Sequence, residues 1–167
     1  MSDFRRTSPH SIRTVIDVQT NYRLNPIDPA TADGLRAAGG DRYIADAKPG
    51  YPCRQCLRDA EVGEPLILVS HDPFTTDSPY RSRSPIFLHE RHCGAPEDLT
   101  TLPEQLTRRQ LSVRAFDRDE MMIDAAVIDG TDLDAHLRRF FEELATNQVH
   151  IHNATRGCWA TSVSRLS

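Results

Sequence analysis

The stretch Leu111–Leu144, LSVRAFDRDEMMIDAAVIDGTDLDAHLRRFFEEL, decides the fold class. Two apolar segments, residues 111–116 and 121–128, flank the polar residues 117–120, which is the pattern of a β-hairpin. The remainder has apolar residues at the spacing of one face of a helix, and Thr131 is positioned to cap that helix. The apolar residues of this face are Leu133, Leu137, Phe140, Phe141 and Leu144. The stretch therefore predicts a hairpin followed by the main helix of the chain.

Shorter patterns on both sides complete the fold prediction. Strands are predicted at Thr14–Thr20, Arg42–Ala47, Pro65–Ser70, Ser84–Leu88, Gln148–Asn153 and Cys158–Leu166. A short helix is predicted at Ala30–Ala38 and one or two helical turns at Pro103–Arg109, with a long loop at Asp72–Ser84. Consecutive strands joined by short links favour antiparallel pairing. We therefore predict an α+β fold, with a mostly antiparallel or mixed sheet, one main helix from the C-terminal half packed on it, and few short helices.

Composition limits the possible domain organisation and partners. The chain of 167 residues suits one domain, predicted at residues 14–167 after a mobile arm at residues 1–13. A net charge of -4 gives no basic excess for binding nucleic acid. Residues 7–11, which follow Arg5 and Arg6, are not the apolar stretch of a signal peptide, and the chain has no apolar run long enough to span a membrane. We expect a cytoplasmic protein without a membrane partner.

The four cysteines carry the clearest chemical signal. Cys53 and Cys56 form a C-x-x-C pair, and His89 and Cys93 form an H-x-x-x-C pair at the end of a predicted strand. Disulfides are disfavoured in the cytosol, so these residues are interpreted as metal ligands. Three thiolates and one imidazole are a typical donor set for tetrahedral Zn²⁺. Because four protein ligands leave no position for water, a zinc ion held by them would be structural.

Several alternatives compete with this interpretation. His92 or His71 could supply the nitrogen ligand in place of His89, and all four cysteines could be ordinary reduced thiols. A thiol oxidoreductase is a further alternative, although Cys53 and Cys56 do not open a recognisable βαβ helix. A zinc deaminase is disfavoured because no His-x-Glu precedes the C-x-x-C pair.

A second candidate site follows from the segment Val149–Asn153. On a strand, His150 and His152 would project from the same face, about 7 Å apart. Arg114 and Asp124 are lone charges in the two strands of the hairpin, and they would pair directly if the hairpin loop had three residues. With Arg54, these side chains could bind a small anionic metabolite as an enzyme or a sensor. The competing interpretation is a solvated sheet face carrying a stray ion pair.

The quoted motifs also resemble a known family. The segments RYIADAKPGYPCRQCLRDAEVGEPLILVS, SPYRSRSPIFLHERHC, LSVRAFD, MMIDAAVIDGTDL and VHIHNATRGCWATSVSRL are similar to the bacterial family catalogued as domain of unknown function 1203. The resemblance covers about Asp41–Arg165 and implies a fold shared with that family, with no assigned activity. Leu, Ile, Val and Phe make up only about 22% of the chain, so a bound metal would supplement a lean core. The same lean, partly polar sheet favours a homodimer.

Overall fold

The computed structural model of the protein describes residues 20–166, and within them it contains eight strands and three α-helices. The strands are β1 Tyr22–Asn25, β2 Asp41–Ile44, β3 Pro65–His71, β4 Ser84–His89, β5 Gln110–Phe116, β6 Met122–Asp129, β7 Gln148–Asn153 and β8 Trp159–Arg165. The helices are α1 Pro29–Ala38, α2 Glu104–Thr107 and α3 Leu133–Glu142. The predicted arm and nearly all of the predicted strand at Thr14–Thr20 lie outside the described residues.

The strands form two antiparallel sheets, which confirms the predicted α+β class. The larger sheet has the order β1-β8-β7-β5-β6, and the smaller one has the order β2-β3-β4. β1 was not predicted, because four residues containing a charge give too short an alternation. Its Tyr22 and Leu24 are nonetheless buried in the main core.

Helix α3 covers one face of the five-stranded sheet, called here the helix face. Its apolar residues pack against inward-facing side chains of β5 and β7 in the main core, as the sequence predicts. The core positions on these elements include Leu111, Val113, Val149, Ile151, Leu133, Leu137, Phe140 and Phe141. Two details of the helix prediction are wrong. Leu144 is 88% exposed because α3 ends at Glu142, and Thr131 lies within a 3₁₀ turn, Gly130–Asp132, that precedes the helix.

The opposite face of the sheet, called here the loop face, carries Arg114, His150 and His152. In the β5–β7 register Arg114 lies opposite His150, and Ser112 lies opposite His152, so these four side chains emerge on the same side. The segment of residues 72–83, which joins β3 to β4 and is called here the cover loop, packs on this face. Its Phe74 ring lies 4.9 Å from the His150 ring, centroid to centroid.

The hairpin register corrects one prediction. Arg114 pairs with Ala125, and Asp124 pairs with Ala115, which belongs to the helix face. The register shifts between Ala115 and Phe116, where β6 carries an extra residue, so the predicted direct pairing of Arg114 with Asp124 does not occur. Asp124 therefore lies on the other face of the sheet and pairs with Arg139 of α3, with 3.2 Å between the charged atoms.

The two sheets meet where β4 approaches β8. The backbone N–H of Trp159 donates to Ser84 Oγ (2.8 Å), and Trp159 packs in a second apolar cluster with residues of β3 and β4. Cys53 is buried in the same cluster. Among residues 20–166, no helix is long and apolar enough to cross a membrane.

Candidate metal centre

Three segments of the chain bring four potential metal ligands together. Cys53 and Cys56 come from the turn between β2 and β3, His89 ends β4, and Cys93 follows four residues later. Their ligand atoms all lie within 4.8 Å of one another, so the cluster can hold a metal ion. Cys53 Sγ is 3.6 Å from Cys93 Sγ, and Cys56 Sγ is 3.6 Å from Nδ1 of His89.

The turn that carries the C-x-x-C pair is fixed by backbone hydrogen bonds. The N–H of Cys53 donates to the carbonyl of Arg58 (3.0 Å), and the N–H of Arg54 donates to the carbonyl of Phe87 in β4 (3.0 Å). Leu57 has a φ of 53°, a left-handed conformation that is unfavourable for leucine and persists only where the surrounding structure imposes it. The turn is therefore held against β4 in the shape that points both cysteines toward His89.

Hydrogen bonds to the sulfurs favour negative charge at the cluster. The backbone N–H of His89 donates to Cys53 Sγ (3.5 Å). Side-chain hydrogen bonds with Cys56, Cys93 and His89 lower the pKa of Cys53. The same proton sharing, with burial, raises the pKa of Cys56. Since metal ligands must be thiolates, binding of a metal ion will release protons from this cluster.

His89 is oriented by an acidic partner. Nε2 of His89 lies 3.1 Å from Glu64 Oε2, so Nδ1 is directed to the sulfurs. Glu64 is in turn held by two hydrogen bonds from Arg58, at 2.9 and 3.0 Å, which lower the pKa of Glu64 to about 2. Burial would lower the pKa of His89, but the Cys53 and Cys93 sulfurs raise it to about 10. A carboxylate behind a ligating imidazole is a common outer partner in zinc sites.

The other two candidate nitrogen ligands lie elsewhere. His92 is exposed, with Nδ1 3.6 Å from Asp33. The ring of His71 packs 5.0 Å from the Trp159 ring, centroid to centroid. The structure thus brings His89 into the cluster and leaves His92 and His71 outside it.

Arg36 of α1 reaches the cluster from the other side, which the sequence did not indicate. Its Nε donates to the backbone carbonyl of His89 (2.9 Å), and its Nη2 lies 4.0 Å from Cys93 Sγ. The same Nη2 donates to Gln55 Oε1. No motif contains Arg36, because it lies 57 residues before Cys93. Its guanidinium, which also pairs with Asp33 (2.7 Å), places a positive charge beside the cluster.

Two clefts border the cluster. One, of about 400 Å³, includes Cys56 in its lining, and the other, of about 380 Å³, includes His89 and Cys93. Cys53 is fully buried beneath them. Solvent species can therefore approach the cluster at Cys56 and Cys93.

Of the residues predicted to bind an anion, the structure keeps three together and separates two. Arg114, His150 and His152 share the loop face, where both histidines are buried. Arg54 is also buried, but its Nε donates to the Trp159 carbonyl (2.9 Å) and its Nη1 donates to the Pro52 carbonyl. Arg54 thus links the C-x-x-C turn to β8, while Asp124 lies on the helix face.

Comparison with known proteins assigns the chain to a family but gives it no activity. Residues 50–165 match the model of the family described as "Protein of unknown function (DUF1203)". The search of curated proteins and the search of solved structures each gave no match.

Proposed function

Because the chain belongs to the family described as protein of unknown function (DUF1203), which assigns no activity, we propose a function from its own residues: binding of one structural Zn²⁺ by Cys53, Cys56, His89 and Cys93. The observation that carries the proposal is the mutual approach of four donor atoms from three separate segments. An ion bound to all four donors would act as a cross-link between these segments.

The observed distances fit a tetrahedral zinc ion. With Zn–S and Zn–N bonds of about 2.3 and 2.0–2.1 Å, a tetrahedron separates two sulfurs by about 3.8 Å and a sulfur from a nitrogen by about 3.6 Å. The corresponding distances are 3.6 Å for Cys53 and Cys93 and 3.6 Å for Cys56 and His89. These two distances match a tetrahedral ion, and all four ligand atoms lie within 4.8 Å of one another.

The donor set favours zinc among the common ions. Thiolates and imidazole suit Zn²⁺, whereas Ca²⁺ and Mg²⁺ prefer oxygen ligands. Three thiolates bound to Zn²⁺ leave one net negative charge, and the Arg36 guanidinium lies 4.0 Å from the Cys93 sulfur. Since the four protein ligands fill the tetrahedron, the ion has no open position for substrate or water, and its role is structural. A reducing compartment such as the cytosol suits the proposal, because thiolate ligands must stay reduced.

A count of bound metal tests the proposal. Protein purified without chelators should contain about one zinc per chain, because structural thiolate sites bind tightly. Cys93→Ser should lose the metal, while the matched control Cys158→Ser should keep it. Cys158 lies outside the cluster, with its Sγ 3.8 Å from the Arg156 carbonyl oxygen. Less than about 0.2 equivalents in the wild-type protein would contradict the proposal.

A thiol oxidoreductase is supported less well. Its attacking thiol must be accessible, but Cys53 is buried and lies against His89 and Cys93 as well as Cys56. Titration with a chromogenic disulfide separates the two functions. If zinc is bound, Cys158 alone should react rapidly, and the other three thiols should react after chelation. Rapid reaction of Cys53 or Cys56 before chelation would favour the oxidoreductase.

A further inference from the structure

The loop face of the five-stranded sheet carries a buried histidine whose hydrogen-bonding capacity is unused. His150 is 0% exposed, and neither of its ring nitrogens has a hydrogen-bond partner within residues 20–166. Its ring lies between Phe74 of the cover loop and Phe116 of β5, each 4.9 Å away by ring centroid. Buried polar groups in native proteins are normally paired, so an unpaired imidazole at this depth points to a partner from outside the chain.

A cation without an acidic partner lies directly opposite His150. Arg114 is half-buried, and within the described part of the chain its side chain makes one hydrogen bond, from Nε to Ser112 Oγ (3.2 Å). No carboxylate of residues 20–166 lies within ion-pair distance of it. Burying a guanidinium without a counterion is unfavourable. An anion bound beside Arg114 on this face would therefore be stabilised by its charge.

Glu120, a buried acidic residue of the β5–β6 turn, is already engaged. Glu120 accepts hydrogen bonds from the backbone N–H groups of Thr75 (3.0 Å) and Thr76 (2.9 Å), and from Gln148 Nε2 (3.2 Å). Ser78 Oγ also donates to the Glu120 carbonyl (2.7 Å). These contacts fasten the cover loop to the β5–β6 turn. The Glu120 carboxylate therefore has its hydrogen-bond partners in the cover loop and β7, and Arg114 is not one of them.

We propose that Arg114 and His150, the latter covered by Phe74 of the cover loop, form a binding site for a small monocarboxylate with an apolar body. The carboxylate would accept a two-pronged contact from the Arg114 guanidinium and a hydrogen bond from the imidazole of His150. This site is separate from the metal centre and does not depend on it, since its residues belong to the five-stranded sheet and the cover loop.

The single positive charge of the site favours a ligand that carries one negative charge. Burial, aided by the neighbouring His152, lowers the pKa of His150 to about 4, and burial lowers the pKa of His152 to about 4 as well. Both histidines are therefore neutral at pH 7, and Arg114 contributes the one positive charge of the group. A phosphate dianion would bring more charge into the apolar surroundings than Arg114 can balance.

The side chains around Arg114 and His150 favour a ligand whose remaining part is apolar. Phe74 and Phe116 line the His150 side of the site. On the other side, Ala125 and Val127 of β6 lie opposite Arg114 and Ser112, and Val127 is 64% exposed. A ligand whose carboxylate lies at Arg114 would cover this exposed margin with its apolar part. Entry requires displacement of the cover loop from the sheet, because His150 is fully enclosed.

Binding of benzoate and hexanoate to the full-length protein tests the proposal, with benzamide and inorganic phosphate as comparison probes. Calorimetry measures affinity, and NMR follows the His150 ring signal, identified by its loss in His150→Gln. We expect both carboxylates to shift the His150 signal and to bind at least about tenfold more tightly than benzamide or phosphate. The comparison of affinities by calorimetry uses the wild-type protein alone and needs no variant to fold.

Two variants localise the effect. Arg114→Gln should weaken benzoate binding about tenfold or more, whereas Arg139→Gln, which removes an arginine from the helix face, should bind benzoate as the wild type does. The proposal is overturned if neither carboxylate shifts the His150 signal at about 10 mM, or if benzamide binds as tightly as benzoate. Equal losses in the two arginine variants would also overturn it.

Discussion

Glu64 Oε2 lies 3.1 Å from Nε2 of His89, and this contact turns the other ring nitrogen, Nδ1, toward the Cys56 sulfur at 3.6 Å. A side chain immediately before β3 thus determines which nitrogen of a residue at the end of β4 can bind a metal. By accepting a hydrogen bond from Nε2, the carboxylate leaves Nδ1 as the correctly oriented nitrogen for a fourth ligand.

Replacement of Glu64 should weaken metal binding without removing a ligand. Glu64→Gln is expected to lower the affinity for zinc by about 10- to 100-fold, because the imidazole loses its charged partner and its fixed orientation. Competition with a chromophoric chelator measures the change. Glu61→Gln is the matched control, since Glu61 pairs with Lys48 on the surface. Equal affinities for Glu64→Gln and Glu61→Gln would show that the contact does not orient His89.

Removal of the metal should destabilise the protein substantially. The cluster joins the C-x-x-C turn, the end of β4 and the segment that follows β4, so its loss separates three segments near a small apolar cluster. We expect the melting temperature to fall by about 10 °C or more after chelation and to recover when zinc is restored. Differential scanning calorimetry provides the measurement. An unchanged melting temperature after complete metal removal would mean that the ion does not stabilise the fold.

The buried histidines should make the protein sensitive to mild acid. The pKa of His150 is lowered to about 4 in the folded state, whereas it is about 6.5 in the unfolded chain. Between these values the unfolded chain binds more protons, so stability is complete above pH 6.5 and falls as the pH decreases toward 4. The loss amounts to about 3 kcal/mol for this residue.

The variant His150→Phe isolates this contribution. Phenylalanine keeps an aromatic ring beside Phe74 and Phe116 and cannot be protonated, so denaturant unfolding should show a shallower loss of stability between pH 6.5 and 4 than in the wild type. Acid release of a bound metal affects both proteins and cancels in the comparison. Identical pH dependence in the two proteins would show that His150 does not resist protonation in the fold.

Glu120 should control the attachment of the cover loop. Burial would raise the pKa of Glu120, but hydrogen bonds from Thr75 and Thr76 lower it to about 2, so the carboxylate is charged at neutral pH. Glu120→Ala should cost about 2–3 kcal/mol and accelerate hydrogen exchange at the amides of Thr75 and Thr76. Asp119→Ala is the control next to it. Unchanged exchange at both threonines in Glu120→Ala would contradict this role.

The part of the site that local sequence determines could be predicted, and the part that depends on distant contacts could not. The spacing of Cys53 with Cys56 and of His89 with Cys93 is local, and it predicted the four residues that the structure brings together. Glu64 lies 25 residues from His89, and Arg36 lies 57 residues from Cys93. No periodicity links residues that far apart, so their contacts became visible only in the fold.

The same distinction applies to the sheet. The alternation in β7 predicted that His150 and His152 share a face, because strand geometry is local. Their burial results from the cover loop, which belongs to a different part of the chain. The pairing of Arg114 with Ala125 results from an irregularity between Ala115 and Phe116, and no glycine in the hairpin marks it.

X-ray absorption at the zinc edge tests the central claim most directly, because it reports the identity of the ion and its ligands together. The proposal predicts a first shell of three sulfurs at about 2.3 Å and one nitrogen at about 2.0–2.1 Å, with no water. In His89→Ala, the three sulfurs should remain in the first shell. The nitrogen should be replaced by an oxygen from solvent, or the protein should bind zinc more weakly. Absence of zinc from the native protein, or a first shell with fewer than three sulfurs, would contradict the claim.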